Sequence, residues 1–138
     1  MGRELRSLRH LVDLIEMEFA SVAAEFAATD EHELDGANSS VEWIRHECRM
    51  SIAAASHALA VGEQAHGLPQ SITALTEGRL GYGHVALLAS TAAHVRHATG
   101  LFEEAPLLAQ ALEHSVSRFR FDCAHARHAA DASAYLEA

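Results

Sequence analysis

Between residues 3 and 28 the apolar side chains recur with a helical period. Leu5, Leu8, Val12, Ile15, Phe19, Val22 and Phe26 follow one another at alternating steps of three and four. Such spacing is the seam of a long helix lying nearly parallel to a partner, which is either internal or a second copy. Leu11 and Leu14 widen the stripe beyond a strict two-stranded seam, which favours burial within a bundle over a free dimeric coiled coil. The stretch TDEHELDGAN then reads as a turn-rich acidic loop. Gly36 there suits a positive φ, and Asp30, Asp35 and Asn38 can bond neighbouring backbone.

Ser39 followed three residues later by Glu42 is a capping-box pattern, and it opens a short helix bearing Trp43, Ile44 and Cys48. After a tight link at Arg49 and Met50, Ser51 is placed to cap a third helix running to about His66. Gly67 is expected to end that helix in the left-handed conformation, and Pro69 fits the first turn of a fourth helix, which ends at Gly78. The glycine-flanked RLGYG leads into a fifth helix carrying Val85, Leu88, Ala89, Ala92 and Val95 and closed by Gly100. Pro106 sits early in a sixth, and a last helix starts at about Ser117. The expected fold is all-α: a compact bundle of about seven helices containing a helix-turn-helix-like unit. One domain is expected over 1–138, with a long first helix over 3–28, a helix-turn-helix-like core over 39–100 and a C-terminal helical pair over 103–138. The pattern ends mid-helix at Ala138 with no glycine or proline stop, as a truncated chain would.

Composition adds constraints to that outline. A chain of 138 residues rich in alanine, with two prolines and few aromatics, suits helices packed closely through small side chains. The formal net charge is −9, and the sequence contains no lysine. A polyanion is repelled by such a surface, so any nucleic-acid contact has to be local and borne by arginine. Eleven histidines titrating near pH ~6.5 would remove most of that negative charge in mild acid. Cys48 and Cys123 lack the close spacing of a zinc knuckle or redox pair and are expected to be reduced, partly buried thiols. Arg3, Glu4, Arg6, Arg9 and Asp13 interrupt the first apolar stretch, so no secretory leader is read there. No apolar run has membrane-spanning length, and the expected location is cytoplasmic.

Several reaction classes lack their residues. There is no lysine for a Schiff base, no GxSxG elbow and no glycine-rich phosphate cradle. The chain alone is expected not to be an enzyme and to need no cofactor. Histidine supplies the remaining chemistry. Asp122, Cys123, His125, His128 and Asp131 crowd one helix while His94 and His97 share another, so each histidine pair could offer two ligands to one ion in a metal-binding bundle. In the opposing reading, His94 and His97 extend a polar stripe with Ser90, and His128 and Arg127 pair with Asp131 along a solvated face. Glu63/His66 and Asp122/His125 share the spacing of the di-iron bundle motif, but no set of inward glutamates accompanies them.

From Trp43 to His66 a short helix, a turn and a second capped helix form a helix-turn-helix pattern. A DNA reader of that kind puts the start of its second helix in the major groove. Here that start reads Ile52, Ala53, Ala54, Ala55, Ser56, His57, which offers few groups to a base edge, while Arg45, Arg49 and Arg79 could meet phosphates. A purely structural helical corner is the alternative.

The ordered segments LDGANSSVEWIRHECRMS, GLPQSITALTEGRLGYGHVALLA and SRFRFDCAHARHAAD resemble the actinobacterial domain-of-unknown-function family that precedes a C-terminal HNH endonuclease domain. The resemblance spans nearly the whole chain. Within it, LPQSITALTEGRLGYGHV is similar to the corner following the helix-turn-helix of ParB-type DNA-binding proteins. What the resemblance implies is a non-catalytic helical accessory module of an HNH-endonuclease-type protein, binding nucleic acid or positioning the enzyme. Its implied nucleic-acid-binding positions are Arg45, Arg49, Ser51, Ser56, His57, Arg79 and His84. The chain departs from the family at Ser56 and His57, where members often carry basic residues, and at Gly81, where a serine is common. The HNH module itself has no counterpart here, since the single asparagine is Asn38. Two other functions stand beside this one: homo-oligomerisation through the first helix without DNA contact, and a histidine-rich metal-binding bundle. DNA and a second copy of the chain are the expected partners, and a membrane is not.

Overall fold

The computed structural model describes residues 1–29, 31–34, 36–37 and 39–137. Asp30, Asp35 and Asn38, read above as backbone-bonding loop residues, lie outside the described residues, as does the terminal Ala138. Among those described there are eight α-helices, one 3-10 turn and no strand, in keeping with the all-α expectation. In chain order the helices are α1 (Gly2–Ala28), α2 (Glu31–Leu34), α3 (Ser40–Glu47), α4 (Ile52–Gln64), α5 (Pro69–Thr76), α6 (Tyr82–Thr99), α7 (Glu104–Glu113) and α8 (Val116–Glu137), with the 3-10 turn at Ala65–Gly67. The additional helix is α2, a single turn inside the stretch expected to be loop. Thr29 Oγ1 accepts the Glu31 N–H at 3.4 Å, and Glu31 and Glu33 put negative charge at the helix start, where the exposed amides favour it.

Two caps read from sequence are formed. Ser39 Oγ accepts the Glu42 N–H at 3.1 Å to open α3, and Ser51 Oγ accepts the Ala54 N–H at 3.0 Å to open α4. Gly100 ends α6 at φ +81°. Gly67 does not act as expected. It lies in the 3-10 turn without a positive φ, and its missing Cβ leaves the space that the Arg96 guanidinium occupies.

The chain forms two compact units, Met1–Glu63 and Gln64–Ala138. In the first, Ala23, Ile44 and Ala55 make a small core, with Phe19, Phe26, Val41, Trp43 and Met50 packed against it. The Phe26 and Trp43 rings lie 4.5 Å apart. α4 passes α1 so closely that a Cβ on Gly62 would stand 2.1 Å from the Ala20 carbonyl oxygen and 2.7 Å from the Ala24 Cβ. The α1 contact surface is therefore a face of alanines, Ala20, Ala23 and Ala24, because only small side chains permit that approach.

This corrects the expectation that the leucine-rich seam of α1 would be buried. Only Phe19 and Phe26 of its seven members pack against the core, while Leu5, Leu8, Val12, Ile15 and Val22 are exposed together with Leu11.

In the second unit, α6 lies along α8 in its most extensive helix pair, and α7 and α5 pack around them. Val85, Leu88, Ala89 and Ala92 of α6 and Phe119, Cys123 and Ala130 of α8 are buried. Polar clamps between segments far apart in sequence tie this unit together. The Glu104 carboxylate accepts the Ser71 N–H and hydroxyl, each at 2.7 Å, and the Gln70 N–H at 3.3 Å. It thus supplies the N-terminal cap that Leu68 cannot give to α5. Arg96 bonds the Gln64 side chain and the Gly67 carbonyl, with its guanidinium 5.7 Å from the centre of the Phe102 ring.

The approach at Gly62 leads to a specific expectation. Gly62→Ala forces α4 from α1 and should cost the first unit about 2–3 kcal/mol. Denaturant unfolding of the variant checks this, and a midpoint equal to that of the parent would contradict the packing.

Candidate interaction surfaces

The longest exposed apolar feature is on α1. Leu5, Leu8, Leu11, Val12, Ile15 and Val22 are each between 41% and 67% exposed. At 100° per residue they fall on the side away from the buried Asp13 and Ala20, on the same line as Phe19 and Phe26, which pack against the core. Scattered surface leucines need no explanation, whereas these six share one side of a single helix. Every residue from Met1 to Arg9 is exposed.

Charge along α1 is segregated. Residues 1–12 carry Arg3, Arg6 and Arg9 against Glu4, whereas residues 13–28 carry Asp13, Glu16, Glu18 and Glu25 with no arginine or lysine. Arg9 bonds Asp13 at 2.9 Å and Glu16 at 3.1 Å, which supplies a partner for the buried Asp13 carboxylate. Among the described residues, Arg3, Arg6, Glu18 and Glu25 take part in no ion pair.

The seven positions singled out for nucleic acid divide between the units. Arg45, Arg49, Ser51, Ser56 and His57 lie on the α3–α4 corner of the first unit, and Arg79 and His84 lie in the second. Arg45 is paired with Glu42 at 2.9 Å, and Ser51 is occupied as a cap. Ser56 and His57 are exposed on α4. Arg79 is paired with Glu77 at 2.6 Å. His84 is turned inward: its Nδ1 lies 3.4 Å from the Gly81 N–H, and its Nε2 lies 2.8 Å from the His114 carbonyl oxygen. A ring protonated at Nε2 satisfies both contacts, so His84 braces the start of α6 where Gly81 has no side-chain cap.

Arg49 differs from the other six. It is exposed and holds φ at +54°, the single left-handed residue other than glycine among those described. The turn explains the angle, because the Cys48 N–H bonds the Ile44 carbonyl at 2.9 Å and the Met50 N–H bonds the Arg45 carbonyl at 3.0 Å, closing α3 as a C-terminal reversal. Glycine is the usual occupant of such a position, and an arginine there costs about 1 kcal/mol.

The histidines of the second unit pair differently from either sequence reading. Asp131 bonds His94 Nε2 at 2.7 Å, not His128, and Arg127 reaches the Thr91 hydroxyl at 3.4 Å, not Asp131. Asp122 takes His114 Nδ1 at 2.5 Å and the Gln110 amide at 3.4 Å. These carboxylate–imidazole bonds join helices instead of converging on a common point, and among the described residues no three ligand-type groups could hold one ion. Sequence reasoning missed Glu104, His114 and Arg96, whose partners stand 8 to 34 residues away and leave no local signature.

The cysteines also differ from expectation, since Cys123 is fully buried and Cys48 is exposed. Burial pushes the Cys123 thiol above its usual 9.0, only partly offset by a hydrogen bond with Thr91 and by the positive charge of Arg127.

No helix among the described residues is long and apolar enough to cross a membrane. No family model matches the chain, and no curated protein or solved structure matches it.

Cys123 gives a reactivity pattern with a pH dependence. A thiol reagent at neutral pH should label one cysteine per folded chain, Cys48, and two after denaturation. A raised thiol pKa means that the folded state holds the proton more tightly than the unfolded one, so stability should fall as pH rises past about 9. Cys123→Ala should flatten that decline. Two rapid labels on the native protein, or the same alkaline slope in the variant, would show that this environment is misread.

Proposed function

We propose that this chain is a non-catalytic helical interaction module that joins copies of the protein carrying it, with α1 as the contact surface. Its setting, on the resemblance of its ordered motifs, is an HNH-endonuclease-type protein. The observation that carries this reading is the exposed apolar stripe of six α1 side chains, set at the spacing of a helix–helix seam and left uncovered by the chain's own core. The carboxylate–imidazole pairs are dispersed, and each braces one helix against another segment.

Each stripe residue is already about half covered, so burying the remainder is worth about 1 kcal/mol per side chain. Leu8→Glu with Ile15→Glu removes four such side chains from a symmetric pair and adds four charges. The dissociation constant should rise about 100-fold or more. Sedimentation equilibrium on parent and double variant reads this directly. A parent protein that stays monomeric up to high micromolar concentration would sink the proposal.

A second reading rests on Arg49. A strained backbone retained at an exposed arginine is a reason to look for a ligand, and phosphate is the group a guanidinium binds best. On this reading the α3–α4 corner touches the nucleic-acid backbone while self-association brings two corners to one duplex. Arg49→Gly should raise stability by about 0.5–1 kcal/mol, because glycine accepts the left-handed angle, and should weaken DNA binding equally for all sequences. Fluorescence anisotropy at low salt measures the binding. A stabilised variant with undiminished DNA affinity would remove the corner from consideration.

A further inference from the structure

Helix α8 turns one face to the core of the second unit and a chemically different one to solvent. At 100° per residue Ser117, Arg118, Phe121, His125, His128 and Tyr135 fall within about 100° of arc, opposite the buried Phe119, Cys123 and Ala130. All six are exposed, Phe121 by 76% and Tyr135 by 82%. We infer that this face binds single-stranded nucleic acid, with bases laid on its rings and phosphate on Arg118. The inference is independent of association through α1 and of the Arg49 corner, since it uses only residues of the second unit.

Charge is the first argument. The chain has 19 aspartates and glutamates against 10 arginines, yet no carboxylate of α8 falls within this arc. Asp122 and Asp131 lie at its flanks, where they bond His114 and His94, and Glu137 lies behind it on the core side. Among the described residues no hydrogen bond or ion pair engages the side chains of Arg118, His125 or His128. A free guanidinium and two free imidazoles on a face without acid make it the local exception in an acidic chain, complementary to an anionic partner.

The rings choose between anionic partners. Phe121, His125, His128 and Tyr135 follow one another at rises of about 6, 4.5 and 10.5 Å, and together span about 21 Å. That is the length of about six stacked nucleotides. Every nucleobase can stack on such rings whatever its sequence, while an acidic peptide brings carboxylates without a π-face. A duplex keeps its base faces between neighbouring pairs, so the ring face fits an unpaired strand. Beside Phe121 an open depression of about 500 Å³, lined by Ser115, Ser117, Arg118, Phe121 and Asp122, has room for one nucleotide. Stacking then contributes more than counterion release, which suits a chain with little positive charge.

Fluorescence anisotropy of a fluorescein-labelled oligothymidylate at low salt tests this with the full chain. The parent should bind the strand at least tenfold more tightly than a hairpin duplex of equal length. Phe121→Ala should weaken binding about tenfold, whereas Phe121→Tyr keeps the ring and should keep the affinity. Arg118→Gln should make the salt dependence shallower by about 0.7 in log–log slope, the share of one phosphate contact on a single strand. These positions are exposed, so circular dichroism melts should not move. Arg49→Gly should bind the strand as the parent does. Equal affinity for the duplex, or binding untouched by Phe121→Ala, overturns the inference. Loss of binding in Arg49→Gly with none in Phe121→Ala assigns the strand to the α3–α4 corner and overturns it too. No binding at high micromolar protein overturns it as well, and cosedimentation of the parent but not Phe121→Ala with phosphatidylserine vesicles would then assign the face to a membrane surface.

Discussion

Helix α1 carries more hydrophobic surface than its own unit can cover, and the organisation of the first unit follows from how that surface is divided. The alanine face comes within van der Waals contact of the α4 backbone at Gly62, and from the seam only Phe19 and Phe26 join that core. Leucine, isoleucine and valine on the other side are too large for such an approach, and they remain in solvent. A core built from Ala20, Ala23 and Ala55 gains close packing and buries little area per residue. The large aliphatic side chains, which would contribute most if buried, are the ones left exposed. Burying Asp13 on the packed side reinforces the choice of face, because its pairing with Arg9 is made from within the helix and asks nothing of the opposite stripe.

The second unit is held by a different device. α6 and α8 close on each other through small and medium side chains, and specificity comes from polar groups that reach across the sequence. Glu104 caps a helix 33 residues upstream, Asp122 fixes His114 at the α7–α8 corner, and His114 in turn accepts from His84 at the start of α6. Each is a half-buried polar group whose desolvation is tolerable only because its partner is present. The acidic composition that looks like a solvated surface therefore includes carboxylates with structural work inside the fold.

Much of the architecture was legible because it is local. The Ser39 and Ser51 caps, the Pro69 start and the Gly100 stop all act within four residues of themselves, and helical periodicity depends on nothing further away. What could not be read was which of two helical faces meets the core. Periodicity assigns α1 a leucine face, whereas the choice was made by backbone proximity at Gly62, a residue 42 positions from its contact at Ala20. The same blindness applies to His84, which looks like a candidate ligand in sequence and is bonded on both ring nitrogens in space. The short helix α2 was missed for a smaller reason, since one turn has no periodicity to detect.

Charge decides how the two candidate surfaces relate. A chain of net charge −9 gains little from a single corner on a polyanion: Arg45 is already engaged by Glu42, and Glu47 lies at the end of the same helix. One Arg49 releases about one counterion, too small a term to hold DNA at physiological salt. Doubling the corner changes this arithmetic, because a second contact on one duplex acts at an effective concentration set by the geometry of the pair. Phosphate contact at Arg49 is thus useful only to an associated form, while association through α1 requires no nucleic acid. On the proposed reading the stripe on α1 is accordingly the primary surface and the arginine corner is conditional on it.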